Sequence, residues 1–344
     1  MQAVVIHAAK DLRVEERTVE TPGPGQVAVA IGAGGICGSD LHYYNHGGFG
    51  TVRVKHPMIL GHEVSGTVRQ IGPGVDAVAV GDKVAISPSR PCNRCEYCLK
   101  GQQNQCLDMR FYGSAMRDPH VDGAFQQMLV ADATQCHKLA DGVSLAEGAF
   151  AEPFAVTLHA VKRAGSLLDK RVLITGSGPI GALCAIAARA HGAREIIVTD
   201  VLDGPLDYAR RIGADQTINV ATSPQKLAAF ATGKGSVDVM FEASGNGAAL
   251  ASGLTVLRPL GVLVQLGLGG DVPLAQNTVV GKEIEIRGSF RFHEEFDLAV
   301  ELINRRRVDV RPLLSETFPI SDAVKAFENA SDRRHSMKVQ LAFQ

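Results

Sequence analysis

Arg171-Val172-Leu173-Ile174-Thr175 runs without a break into Gly176-Ser177-Gly178-Pro179-Ile180-Gly181, and an alanine- and leucine-rich stretch, Ala182 to His191, follows. Read in order, these are a strand buried on both faces, a glycine turn and the helix that the turn opens. Glu195-Ile196-Ile197-Val198-Thr199 repeats the strand pattern and ends at Asp200, 24 residues after Gly176. The glycines allow a tight turn and let a pyrophosphate approach the helix N-terminus, where free N–H groups and the helix dipole favour an anion. The acid closing the second strand accepts ribose hydroxyls. A GxGxxG string alone recurs by chance, but strand, turn, helix, strand and acid in this order predict a dinucleotide site. Gly176, Gly178, Pro179, Ile180, Gly181 and Asp200 are its candidate residues. The Asp200 carboxylate repels a 2′-phosphate and so favours NAD, with NADP as the alternative. Arg210 and Arg211 read as a solvated helix face.

The alternation continues downstream. Val237–Phe241 leads into Glu242-Ala243-Ser244-Gly245, Val262–Leu266 into Gly267-Leu268-Gly269-Gly270, and Glu283–Arg287 into Gly288-Ser289-Phe290. Strands that each end in a Gly/Ser loop predict a doubly wound parallel sheet with ligand loops at the strand carboxyl ends, and they add Ser244, Leu266, Leu268, Ser289 and Phe290 to the cofactor candidates. Before residue 148 the texture differs. Short β-like runs (Val4–Ile6, Val27–Ile31, Glu63–Ile71, Lys83–Ile86) are separated by turns such as Thr21-Pro22-Gly23-Pro24-Gly25, which predicts an irregular, β-rich domain. From about residue 294 the mixed texture returns. The 344 residues thus divide into residues 148–294, the dinucleotide-binding domain, and residues 1–147 with 295–344, a second domain, in the α/β class.

Charge is nearly balanced, with 35 Lys+Arg against 36 Asp+Glu, and 45% of residues are hydrophobic. That balance excludes a chain built to neutralise nucleic-acid phosphates, and it excludes intrinsic disorder. Lys10 and Asp11 fall where a signal peptide needs its apolar stretch, and the longest uncharged run, between Arg171 and Arg189, is broken by Gly176, Gly178, Pro179 and Gly181. No membrane partner is expected, and the expected location is cytoplasmic.

Four of the seven cysteines crowd into Cys92-x2-Cys95-x2-Cys98-x7-Cys106. In a turn-rich segment, thiolates at this spacing face one point and complete a closed tetrahedral zinc shell at about 2.3 Å, a structural site. An iron–sulfur cluster is the rival reading. Cys37 lies apart, in the Gly-rich turn Gly34–His42, and Gly61-His62-Glu63 follows 25 residues later. Cysteine, histidine and carboxylate are all zinc donors, and three of them leave a position open for substrate, as in a catalytic site. Cys136 and Cys184, in apolar surroundings, read as small core residues.

Together these motifs make the chain resemble the zinc-containing medium-chain dehydrogenase/reductases over essentially its full length. Gly61-His62-Glu63-x2-Gly66-x5-Gly72 fits that family's zinc signature, Gly81-Asp82-x-Val84 follows it, and the four-cysteine lobe and GxGxxG unit stand at the expected places. Cys37-Gly38-Ser39-Asp40-x-His42 and Ala151-Glu152-Pro153 are similar to the polyol dehydrogenase branch, and stretches such as PSRPCNRCEYC and GKEIEIRGSFRFHEEF to its sugar-acid-oxidising members. The resemblance implies a GroES-like catalytic domain beside a Rossmann domain, two zinc ions and NAD. It also implies hydride transfer from a secondary alcohol, and a dimer or tetramer. It implies catalytic zinc held by Cys37, His62 and a glutamate; whether Glu63 or Glu152 ligates directly stays open. Ser39, two residues after Cys37, is placed to accept the alcohol proton, and His42 to pass it outward, while Asp40 is expected to orient the ligand histidine. A substrate carboxylate needs a cation or several donors when buried; Arg291 is the first candidate, then Arg110 and His120, with Tyr43 and Tyr44 as hydroxyl donors. The alternatives are a neutral polyol dehydrogenase and, from another class, a non-catalytic NAD-binding zinc protein.

Overall fold

The computed structural model describes residues 1–343. Its parallel sheet has six strands in the order Gln216–Asn219, Glu195–Asp200, Arg171–Thr175, Val237–Glu242, Leu257–Gln265, Glu285–Gly288, and every neighbouring pair is parallel. In chain order this is 3-2-1-4-5-6. The order reverses between Arg171–Thr175 and Val237–Glu242, and the crevice at a reversal point is where such sheets bind ligands. The continuous apolar runs follow from burial on both faces. Val172 and Ile174 join one core with Ala182, Leu183 and Ala187 of the helix Pro179–Ala190, whereas Leu173 joins a second core with Leu250 and Leu254 of the helix Gly247–Val256. Alternate residues of one strand therefore hold two helical layers.

The second body is built on a seven-stranded sheet. Gln26–Gly35 lies at its centre, paired with Glu63–Ile71, with Met128–Asp132 and with the C-terminal strand Lys338–Ala342. Its core joins Val27, Val29 and Ile31 to Phe125, Phe327, Val339 and Leu341. The segment after residue 294 divides its contacts. Phe296, Ala299, Val300 and Ile303 mark one face of the helix Glu295–Asn304, the i, i+3, i+4, i+7 spacing of an amphipathic helix, and they bury in the core shared with the helix Ala151–Ala164. From Leu314–Pro319 onward the chain enters the seven-stranded sheet. Among the described residues, no helix is long and apolar enough to cross a membrane.

Candidate active site

The sheet strand Gln26–Gly35 ends beside the start of Glu63–Ile71, with Gly35 opposite Glu63. One connection leads to Cys37, which opens the helix Gly38–His46, and the other delivers His62 and Glu63. Donor atoms of Cys37, His62 and Glu63 consequently lie within 4.8 Å of one another. Asp40 is fully buried beneath them. Its carboxylate accepts the Cys37 N–H at 3.0 Å and the Gly61 N–H at 3.3 Å, and it lies 3.8 Å from His62 Nδ1. One acid thus ties both ligand-bearing turns together.

A divalent cation fits this donor set. His62 Nδ1 is buried without a hydrogen-bond partner among the described residues. Burial, with the Glu63 charge beside it, pushes the Cys37 thiol up to about 12; a divalent ion supplies the positive charge that makes such a sulfur a thiolate ligand. Glu152, in the first turn of Ala151–Ala164, is also buried, which pushes it up to about 8; His62 opposes this, and Glu63 and Cys37 add to it. Glu152 therefore borders the group, while Glu63 belongs to the converging set.

Ser39 and His42 share a face of the helix Gly38–His46 at i, i+3 spacing. The Ser39 hydroxyl lies near the Cys37 sulfur and partly opposes the rise of that thiol, and His42 is exposed. Partial burial, with His46 nearby, lowers the His42 pKa and keeps the ring neutral near pH 7, able to accept a proton. Arg291 enters from the end of the last parallel strand. Its guanidinium lies 4.1 Å over the Phe111 ring, and that ring is 5.5 Å from the His62 ring. Burial lowers Arg291 to about 10, and the nearby Glu152 and Tyr43 charges oppose that shift. Its backbone is left-handed, φ 54°, a conformation that costs a non-glycine residue about 1–3 kcal/mol and that concentrates at functional sites.

The other substrate candidates have different surroundings. Tyr43 is buried, with its hydroxyl accepting the Ala115 N–H at 3.0 Å. Arg110 borders a cavity beside the cysteine lobe with Arg90, Cys92 and Arg94. His120 closes a loop: Nε2 accepts the Lys55 N–H at 2.8 Å, and Nδ1 lies 2.8 Å from the Arg117 carbonyl. In the lobe itself, the sulfurs of Cys92, Cys95, Cys98 and Cys106 lie within 4.8 Å of one another. The backbone N–H groups of Cys98 and Leu107 donate to Cys95 and hold it down to about 6. Four sulfurs so placed fit a closed metal shell.

At the parallel sheet, Gly176 turns with φ 87°, and a Cβ on Gly181 would lie 1.8 Å from the Gly176 carbonyl oxygen. Only glycine allows that crossing, which leaves Gly178, Pro179 and Ile180 at the open N-terminus of Pro179–Ala190. Gly176, Asp200 and Ser244 line a cavity of about 580 Å³ with apolar walls from Val201, Val220 and Leu227, which suits the adenosine half of a dinucleotide. Leu266, Leu268, Ser289 and Phe290 follow the carboxyl ends of Leu257–Gln265 and Glu285–Gly288, at the same end of the sheet. The Ser289 hydroxyl is buried without a partner among the described residues, as a cofactor-facing group would be.

Two buried charges escaped the sequence reading. Lys338 reaches both Glu63 oxygens, at 2.9 and 2.7 Å, and the Ile36 carbonyl at 3.2 Å. Its signal was a lone lysine in the strand Lys338–Ala342, otherwise uncharged. Glu242, at the end of its strand, accepts the N–H groups of Ser244 and Gly245 and so shapes the loop facing Gly176.

Residues 23–141 match the alcohol dehydrogenase GroES-like domain, and residues 179–305 match the zinc-binding dehydrogenase domain. The chain is 42% identical to L-idonate 5-dehydrogenase (NAD(P)(+)) of Escherichia coli K12, covering 99% of this chain and 98% of that one. It is 39% identical to sorbitol dehydrogenase of Gallus gallus, covering 98% and 95%. The crystal structure of the E. coli L-idonate 5-dehydrogenase superimposes with a TM-score of 0.95 over 99% of this chain and 98% of that one.

Proposed function

This chain belongs to the zinc-containing alcohol dehydrogenase family, and from that membership we propose that it oxidises a secondary alcohol of a six-carbon sugar acid. The substrate is L-idonate, the product 5-keto-D-gluconate and the hydride acceptor NAD. The observation that carries the reading is the convergence of Cys37, His62 and Glu63, with the Arg291 guanidinium one aromatic ring away from His62. Two zinc ions would be held, one by Cys92, Cys95, Cys98 and Cys106 and one by Cys37, His62 and Glu63, with Glu152 bordering the second. A zinc ion held there would supply Lewis acidity toward an alcohol oxygen, and a bound NAD would supply the hydride acceptor.

The protein's own residues manage the proton and the position. Ser39 accepts the alcohol proton and His42, on the same helix face and open to solvent, carries it outward. Arg291, half-buried and already held in one place by Phe111, pairs with the substrate carboxylate, a charge-assisted contact that fixes which carbon faces the metal. Asp40 keeps the two ligand turns in register. The Asp200 and Gly176 cavity takes the adenosine half of NAD.

A neutral polyol dehydrogenase is the second reading, favoured by the sorbitol dehydrogenase relative. NADH formation on L-idonate, sorbitol and gluconate separates them. The proposal expects L-idonate to be preferred, and expects Arg291→Ala to reduce turnover of L-idonate far more than of sorbitol. Sorbitol as the better substrate, or an equal loss on both, would exclude the carboxylate clamp. The chain also assembles with copies of itself: Glu285–Gly288 ends the sheet with an open edge and Ile286 exposed, an edge that a second copy covers. Light scattering that finds only monomers would contradict this.

A further inference from the structure

Arg333 borders the same cavity as Gly176, Asp200 and Ser244, although it lies at the opposite end of the sequence from the strand–turn–helix unit. It stands in the turn after the helix Ala323–Ser331. That turn is stiffly built. Asp332 accepts the His335 and Ser336 N–H groups on its carbonyl, and its side chain accepts the Arg334 N–H at 3.1 Å and pairs with His335 at 2.7 Å. It is also pressed onto the helix Asp203–Arg211, because a Cβ on Gly204 would lie 2.0 Å from the Arg334 carbonyl oxygen. The docking places Arg333 Nη2 3.8 Å from Asp200 Oδ2, with the arginine side chain 63% exposed.

The Asp200 carboxylate is already engaged. Oδ2 accepts the Ser177 N–H at 2.8 Å, and Oδ1 accepts the Val201 and Leu202 N–H groups at 2.7 and 3.1 Å. Arg333 is therefore not needed to satisfy this acid; it stands at the cavity rim with its donor fork open. The two arginines nearer in sequence are committed elsewhere: Arg210 to Asp207 and Thr217, and Arg211 over the Tyr208 ring at 5.0 Å. An acid that bonds ribose hydroxyls favours NAD, whereas an adjacent arginine accommodates a 2′-phosphate. Guanidinium donors match phosphate oxygens two at a time.

We propose that Arg333 is a cofactor-specificity residue, the group through which this site accepts the 2′-phosphate of NADP as well as NAD. The proposal rests on the dinucleotide-dependent reading above. It deepens that reading by making the choice of cofactor depend on a turn outside the parallel sheet. Asp200 holds the unphosphorylated ribose, and Arg333 turns from the carboxylate to the phosphate when one is present.

The test is calorimetric titration of the full chain with NADH and with NADPH, for the wild type and for Arg333→Ala, Arg333→Glu and Arg210→Ala. The wild type is expected to bind both, and to bind NADPH more weakly as salt rises. Arg333→Ala should weaken NADPH about tenfold or more, the loss of one charge-assisted contact, and leave NADH within about twofold. Arg333→Glu should abolish NADPH binding, and Arg210→Ala should change neither. A wild type that does not bind NADPH, an equal loss of both cofactors in Arg333→Ala, or a selective NADPH loss in Arg210→Ala would each overturn the proposal. Failure of the wild type to bind either cofactor would instead remove the reading beneath it.

Discussion

Replacing Lys338 by methionine isolates the buried charge that supports the candidate metal site. Lys338 is 3% exposed and Glu63 1%, and the ammonium contacts both carboxylate oxygens. Methionine keeps most of the volume and removes the charge, so the Glu63 carboxylate stays buried close to Cys37 and Glu152 with no lysine. Removing one partner of a buried pair costs about 3–5 kcal/mol, because the other charge is left uncompensated. A divalent ion on Cys37, His62 and Glu63 offsets part of that charge, so the cost should fall by at least about 1 kcal/mol in zinc-loaded protein. Denaturant unfolding of the wild type and Lys338→Met, each with zinc and after chelation, measures both quantities. Lys338→Met/Glu63→Gln should recover much of the chelated loss, with a coupling energy of about 2 kcal/mol or more. A cost below about 1 kcal/mol, which is the range of an ordinary exposed pair, or a cost independent of zinc, would refute this account of Glu63.

Gly181→Ala should lower NADH affinity more than about tenfold by calorimetry, since its Cβ would collide with the Gly176 carbonyl and open the turn that faces the pyrophosphate; unchanged affinity would contradict that geometry. His42→Ala should lower turnover about tenfold or more and remove the acidic limb of the rate–pH profile, whose midpoint should lie below the ordinary histidine value because burial and His46 lower that pKa. Burial raises the Glu295 pKa, but hydrogen bonds from His159 and from the His293 N–H outweigh it and hold the carboxyl down to about 2. Its folded value is thus depressed, so its contribution is complete above the unfolded value near pH 4.5 and disappears as pH falls toward 2. Thermal unfolding between pH 6 and pH 3 should show wild-type stability falling by about 2 kcal/mol more than that of Glu295→Gln.

Much of the molecule was legible in its sequence because the deciding interactions are local or periodic. The strand Arg171–Thr175 is buried on both faces and so reads as an unbroken apolar run, and the turn at Gly176 and Gly181 needs residues without a Cβ. The four lobe cysteines span 15 residues, so their convergence needs only one loop. Cys37 and His62 were legible by donor chemistry, and the register of Gln26–Gly35 against Glu63–Ile71 explains how they meet. Lys338 and Arg333 were not legible in the same way. Their partners, Glu63 and Asp200, lie far off in sequence, and the contacts exist only because the chain returns after Leu314 to finish the seven-stranded sheet. Arg110 and His120 show the converse: suitable donors near the cysteine lobe in sequence, yet engaged with the lobe cavity and with a loop closure. Spacing finds chemistry within one element; packing decides which elements meet.

The central claim is that Cys37 and His62, with Glu63, hold a zinc ion that activates the alcohol. It is tested most directly by measuring zinc per chain and NADH formation from L-idonate on the same preparations of wild type and Cys37→Ser. The account predicts two zinc ions per wild-type chain and one in the variant, with turnover reduced at least about a thousandfold. A variant that holds a single zinc, in the cysteine lobe, and oxidises L-idonate at the wild-type rate would contradict it.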